Sequence, residues 1–214
     1  MMQCYTISGK DGYTHDGMKW GARVTHIASG QGDVYDPRWL HFYRDPHIAM
    51  LLDLNYTDDS QCRLWESTAF GRILHDGWLK SGCTHLRTDF EIPAPTISLD
   101  ERVEFAIRCA MAAGSDPVFD DWADGWLSGS DRSPTSARSM HLSIAPANDL
   151  IAGLTRSRKA AHATAFAAEL GCRPGNRAVT VVAAVASVRA ARELGCELNL
   201  LKIVQRMFPQ KQNQ

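Results

Sequence analysis

Cysteine, histidine and carboxylate side chains carry the reactive groups of this sequence, and their spacing decides which chemistry is open to them. Cys83 and His85 are two residues apart, so on a strand they share a face, and Cys62, His75, His41 and His47 are further donors of the kind zinc takes. No Cys-x-x-Cys pair brings two thiolates together, and isolated cysteines are commonly small apolar core residues, so neither a metal nor another cofactor is expected. The spacings of a phosphate-binding P-loop, a full dinucleotide fingerprint, a Gly-x-Ser-x-Gly elbow and a His-Glu-x-x-His helix are all missing. Gly30-Gln31-Gly32 is a fragment of a glycine fingerprint, and a turn explains it.

The remaining charged groups suggest surfaces rather than reactions. Asp120 and Asp124, four apart, fall on a helix face opposite Trp122 and Trp126, and like charges at that spacing repel by about 0.2–0.5 kcal/mol. Attraction to the positive end of a helix dipole accounts for Asp116 and Asp120 better than for Asp124. With Asp131, these side chains form a candidate acidic patch for a basic groove that normally holds nucleic acid. Asp131-Arg132 reads either as an ion pair closing a loop or as an exposed anchor, since arginine is favoured at interface hot spots. Asp120, Asp124, Asp131 and Arg132 are therefore the candidate partner-binding residues. The two tryptophans read as a helical core stripe.

Towards the C-terminus, Arg156, Arg158, Lys159, Arg173, Arg177, Arg189 and Arg192 could line adjacent helices and meet nucleic acid, with a short turn at 172–175 in the manner of a helix-turn-helix. The second of those helices is very apolar for a recognition helix. Its alanine-rich surface suits close packing, within one chain or across a homodimer.

Periodicity places these groups on elements. Residues 3–7, 39–43, 62–68, 83–88 and 90–92 read as strands, the fourth of the five preceded by a break at Gly71. Residues 18–20 and 23–27 are shorter apolar runs. Asp45-Pro46 is a helix start, with an N-cap followed by proline at the first helical position. Pro93 and Pro95 break the strand pattern, and beyond them Ser98-Leu99-Asp100-Glu101 fits a capping box. Val103, Ala106, Ile107, Ala110 and Met111 continue at helical spacing to Gly114. A second helix follows Asp116-Pro117 and stops at Gly129. Residues 129–147, rich in Ser, Pro and Asp, read as a long irregular connection. Helices are expected from 148 to about 170, from 176 to about 194, and from 198 to 208. The first two end in the repeated Glu-Leu-Gly-Cys, each Gly being the left-handed residue after its helix. The valines of 178–188 would also suit a buried strand, but the flanking alanines and end caps favour helix.

The fold class implied is α+β. Residues 1–95 form a β-rich domain, 96–133 a helical pair packed on it, and 148–208 a helical C-terminal domain. Residues 1–146 hold 13 Lys and Arg against 20 Asp and Glu, a net of −7, and residues 147–214 hold 10 against 4, a net of +6. Mutual docking of oppositely charged parts, or a basic face for nucleic acid or an acidic partner, would each produce that reversal. No apolar run approaches the ~20 residues of a membrane span, and no basic leader with an apolar core opens the sequence, so neither a membrane nor a secretory route is expected. Six scattered cysteines in such a chain read as reduced thiols.

The segment Trp122-Ala123-Asp124-Gly125-Trp126-Leu127-Ser128-Gly129-Ser130-Asp131-Arg132-Ser133, the run Trp39-Leu40-His41-Phe42-Tyr43 before Asp45-Pro46, and Arg102 with Phe105-Ala106-Ile107 together resemble a group of phage and prophage accessory proteins of about this size. The resemblance covers residues ~1–133 and, loosely, the end near 198–204. Pro174-Gly175 interrupts the alanine-rich tail that those proteins carry. What the resemblance implies is a setting, the cytoplasm of a bacterial host. It also implies a role, non-enzymatic inhibition of a host defence protein or ribonucleoprotein such as a CRISPR-type complex. No catalytic residue is carried over with it. A second resemblance supplies the enzymatic alternative. His41-Phe42-Tyr43 followed by Asp45-Pro46 and a helix containing Ala49 is similar to the strand-to-helix portion of ADP-ribosyltransferase folds. It implies a nucleotide site with an aromatic platform, a ribose contact and a carboxylate to stabilise positive charge on the sugar, for which Tyr43, His41 and Glu66 are the candidates.

Overall fold

The computed structural model describes residues 1–53, 61–75, 80–114, 117–144, 156–170, 177–196 and 198–209, and of these only the backbone at 156–160, 170 and 177. Two compact units divide the chain, Met1–Thr96 and Ile97–Gln214. The architecture is α+β, with an antiparallel sheet in the first unit and helices in the second.

The sheet is built on a long hairpin, β4 (Cys62–His75) with β5 (Ser81–Ile92). β1 (Met2–Gly9) pairs β4 on one side, while β2 (Thr25–Ile27) and β3 (Leu40–Phe42) pair successive stretches of β5 on the other. One residue past β3, Tyr43 exchanges two 2.8 Å backbone hydrogen bonds with Tyr5 of β1, so the sheet curls back on itself. Alternation along each strand sends one set of side chains inward. Trp65, Phe42, Leu40, Cys4, Cys83 and Leu86 form the buried cluster, joined by Trp20. The Trp65 Nε1–H donates to Ser8 Oγ at 2.9 Å, so the largest buried ring leaves no orphaned donor.

β4 does not stop at Gly71 as the sequence suggests. The ladder slips between Phe70 and Ile73, Gly71 takes φ +76°, and the strand resumes to His75. A Cβ at Gly71 would collide with Thr84 Oγ1, the atom that accepts from the Arg72 amide at 3.0 Å. The glycine is thus a bulge and not a terminator. The runs read separately at 83–88 and 90–92 are one strand, and 18–20 contributes only a bridge between Lys19 and Tyr13. α1 (Pro46–Leu52) starts at Asp45, whose carboxylate accepts from the amides of His47 and Ile48 at 2.8 and 3.2 Å.

The second unit contains α2 (Leu99–Ala112), α3 (Pro117–Ser128), α4 (Pro134–Ile144), α5 (Arg156–Leu170), α6 (Arg177–Glu193) and α7 (Leu200–Met207). The capping box at Ser98 is complete, with Ser98 Oγ accepting from the Glu101 amide and Glu101 accepting from the Ser98 amide. α2 packs against both α5 and α6. The division at Ile97 puts α2 and α3 in one unit with α5, α6 and α7, where the sequence expectation set a pair at 96–133 apart from a domain at 148–208. Buried residues of α2, α3, α4 and α5 form one cluster.

α4 is also a correction, because residues 129–147 read as irregular. Ser133 Oγ accepts from the Ser136 amide at 3.2 Å, Pro134 sits at the first helical position, and Ala137, Met140 and Ile144 are buried at helical spacing. Serines and a proline taken as loop formers are here a cap and a helix start. α6 is helical across 178–188, and its end has the expected form. Gly195 lies at φ +68°, the Cys196 amide donates to Ala191 O at 2.9 Å and the Gly195 amide to Arg192 O at 3.1 Å. The matching expectation at Gly171, and the helix start at 148, lie outside the described residues. Alanines 161, 165, 167 and 168 of α5 and 183, 184, 190 and 191 of α6 are buried. Between these helices the buried hydroxyls of Thr164 and Ser187 lie 3.4 Å apart, and Ser187 Oγ also donates to Ala183 O at 2.9 Å.

Candidate functional site

On the outward side of the sheet, register aligns residues that are far apart in sequence. Tyr43 faces Tyr5, Tyr5 faces Glu66, and Glu66 faces Phe90. Residues directly opposite in antiparallel strands point to the same face. Their chain neighbours Phe42, Cys4, Thr6, Trp65 and Ser67 are buried, so this row looks away from the core. Tyr5 spends its backbone hydrogen bonds on Tyr43, which makes Tyr5–Glu66 a non-hydrogen-bonded pair, the arrangement with the closer side chains. The structure thus brings Tyr43 and Glu66 into one row with Tyr5 between them. Phe90 at the end of the row is half exposed.

His41, the third residue of the candidate nucleotide site, has its Nε2 2.6 Å from Val34 O, as a bonded strand histidine would. The Tyr43 hydroxyl donates to the buried carboxylate of Asp53 at 3.4 Å. Burial, together with the Glu66 and Asp45 carboxylates, pushes the Tyr5 phenol above its ordinary value. Tyr5 and Asp53 were absent from the sequence reading. Tyr5 lies in an expected strand, but its neighbours depend on a strand pairing more than 60 residues away.

On α3, the residues Phe119, Ala123 and Trp126 are buried, Asp121 and Asp124 are exposed, and Asp120 is intermediate. The helix contains three aspartates and no lysine, arginine or histidine. Asp121 and Asp124 make no ion pair or side-chain hydrogen bond among the described residues. Asp131 and Arg132 are not paired with each other. Asp131 accepts from the Ser133 amide at 2.9 Å, and hydrogen bonds from Ser133 and Ser136 hold its carboxyl below the usual range. Arg132 lies 4.4 Å from the Trp126 ring centroid, donates to Trp126 O at 3.0 Å and meets Asp100 at 3.3 Å. Both close the turn between α3 and α4. The Trp122 Nε1–H is buried without a partner among the described residues.

Three of the described thiols are buried in the core. Burial raises Cys4 and Cys109 far above the ordinary thiol value and pushes Cys83 up to about 12, so little thiolate forms near neutrality. The five described cysteines are free. Cys83 Sγ lies 3.6 Å from Leu40 O, while His85 stacks on Phe70, so the two residues read as sharing a ligand face are engaged separately. Among the described residues no three His, Cys, Asp or Glu side chains converge as a metal would require. Nor is any helix there long and apolar enough to cross a membrane. Of the basic tail, Arg189 and Arg192 are exposed, Arg173 and the turn at 172–175 lie outside the described residues, and so do the side chains of Arg156, Arg158, Lys159 and Arg177.

A separate cluster escaped the sequence reading. His141 of α4 lies 3.2 Å from Glu169 of α5, and its ring centroid is 4.4 Å from that of His162. No family model, curated protein or solved structure matches this chain.

Proposed function

We propose that this chain is a phage-encoded, non-catalytic inhibitor that binds a host defence protein or ribonucleoprotein, of which a CRISPR-type complex is the leading case. The observation that carries the reading is the outer side of α3. It holds two exposed carboxylates without cationic partners among the described residues, on a helix that has no basic residue. Charges arranged this way repel one another in the free protein and find compensation on a basic surface, including one shaped for nucleic acid. Trp126, buried and covered by Arg132, fixes the helix that presents them. Asp131 and Arg132 then hold the presenting turn, while Asp120, Asp121 and Asp124 supply the contact.

Affinity capture from the host lysate tests this reading. The wild-type chain is expected to recover a nucleic-acid-binding defence complex. Asp121→Lys with Asp124→Lys is expected to lose it at unchanged helical circular dichroism. Undiminished capture by the double variant would overturn the assignment of α3.

An ADP-ribosyltransferase-like activity is the second reading, favoured by the alignment of Tyr43 and Glu66 in one row. The Glu66 and Asp45 carboxylates around Tyr5 would repel a dinucleotide pyrophosphate, which places this reading second. Incubation with labelled NAD decides it, since neither transfer nor hydrolysis is expected.

A further inference from the structure

The outward row of the sheet contains one carboxylate treated differently from its neighbours. On β4 and β5, Glu91 is paired with Arg63 at 2.5 Å, and Asp89 accepts from Arg87 and from Thr68 at 2.6 Å each. Glu66, half-buried on the middle strand between β1 and β5, has no ion pair or side-chain hydrogen bond among the described residues. The Tyr5 hydroxyl beside it has none either. A carboxylate on a half-buried strand face with no cation beside it among the described residues is available to an arriving one.

The surroundings specify what would complete it. Tyr5 lies directly across from Glu66 on one side and Phe90, 51% exposed, on the other, with Tyr43 beyond Tyr5. Aromatic faces and a carboxylate in one row suit a cation whose body is planar or apolar. The Asp45 carboxylate also acts on Tyr5, although it caps α1 and meets His47, so this end of the row is acidic. Tyr5 and Tyr43 spend their backbone hydrogen bonds on each other and β4 lies between β1 and β5, so at Tyr5 and Glu66 an arriving segment binds through its side chains.

We infer that the row Tyr43–Tyr5–Glu66–Phe90 is a docking site for a basic protein segment, and that it receives an arginine side chain of that segment. The guanidinium stacks on an aromatic ring and donates two parallel N–H bonds to Glu66, a geometry that an ammonium cannot reproduce. This site belongs to the sheet and stands whether or not α3 makes the contact proposed above.

The test is a titration of the full chain, followed by heteronuclear NMR, with a short capped peptide carrying two arginines. The expected result is a set of shifts centred on the amides of Tyr5, Glu66 and Phe90. Glu66→Gln, nearly isosteric, should weaken binding by about tenfold. Replacing arginine by citrulline in the peptide should abolish it. Asp121→Lys with Asp124→Lys should leave it unchanged, which separates failure of this site from failure of α3. Shifts centred elsewhere, or equal affinity in Glu66→Gln with an otherwise native spectrum, would overturn the proposal. A single-stranded RNA oligonucleotide that displaces the peptide from the row would also overturn it.

Discussion

In the first unit the interior is filled by a few large side chains, with Trp65, Phe42, Leu64 and Leu86 almost wholly buried under a curled sheet. In the second unit α5 buries Ala161, Ala165, Ala167 and Ala168, and α6 buries Ala183, Ala184, Ala190 and Ala191 beside three valines, while the larger residues Phe119, Trp126 and Met140 come from α3 and α4. A curled sheet leaves interior volume that only large rings fill, whereas alanine faces let helix axes approach towards the short end of the 8–10 Å range. The same requirement for dense packing is met by large side chains in the sheet and largely by small ones along α5 and α6. The two units should therefore fail under opposite kinds of substitution.

The largest effect is expected where a ring is deleted. Trp65→Ala removes a fully buried indole and strands Ser8, and should cost about 3–5 kcal/mol in denaturant unfolding followed on the sheet unit. A loss below about 1 kcal/mol would break the contrast. The converse substitution is Ala165→Leu, at a fully buried position of α5. It should cost about 1–3 kcal/mol through forced separation of its neighbours, while leaving the sheet unit's transition in place. Stabilisation by the larger side chain would mean that the helical unit holds unfilled space.

A smaller effect concerns pH. Burial and the neighbouring His141 lower His162 from its ordinary value of 6.5, so the folded helical unit favours the neutral ring. The stabilisation is complete above 6.5 and is lost as pH falls through the lower folded value. Arg138 and His141 face this cluster from α4, and Glu169 from α5. Thermal unfolding between pH 7.5 and 5 should show a slope for the helical unit that His162→Gln reduces.

Much of the fold could be read from local pattern. Asp45-Pro46, the capping box at Ser98 and the Leu194-Gly195-Cys196 helix end each need only a few adjacent residues, and each has the expected geometry. The errors came where one residue type serves two purposes. Pro134 begins α4 and Gly71 bends β4, yet both resemble breaks when only their neighbours are considered. The candidate sites were legible in part. α3 and the exposure of Asp124 followed from spacing, whereas Asp120 is only partly exposed and Asp121 was not singled out, and the internal duties of Asp131 and Arg132 depend on what the turn folds against. The row through Tyr5 was hidden because its members come from three strands and the residue after β3, and only the register of the pairing puts them side by side.

The Thr164–Ser187 pair has a consequence for α5 and α6. Helix surfaces rich in small side chains look similar after a shift of one turn, about 5.4 Å, so apolar contact between them distinguishes poorly between alignments. Displacing either helix by a turn would part the two hydroxyls and leave Thr164 without an acceptor in a dry interface. This polar contact thus acts as a detent, favouring one phase of the two helices.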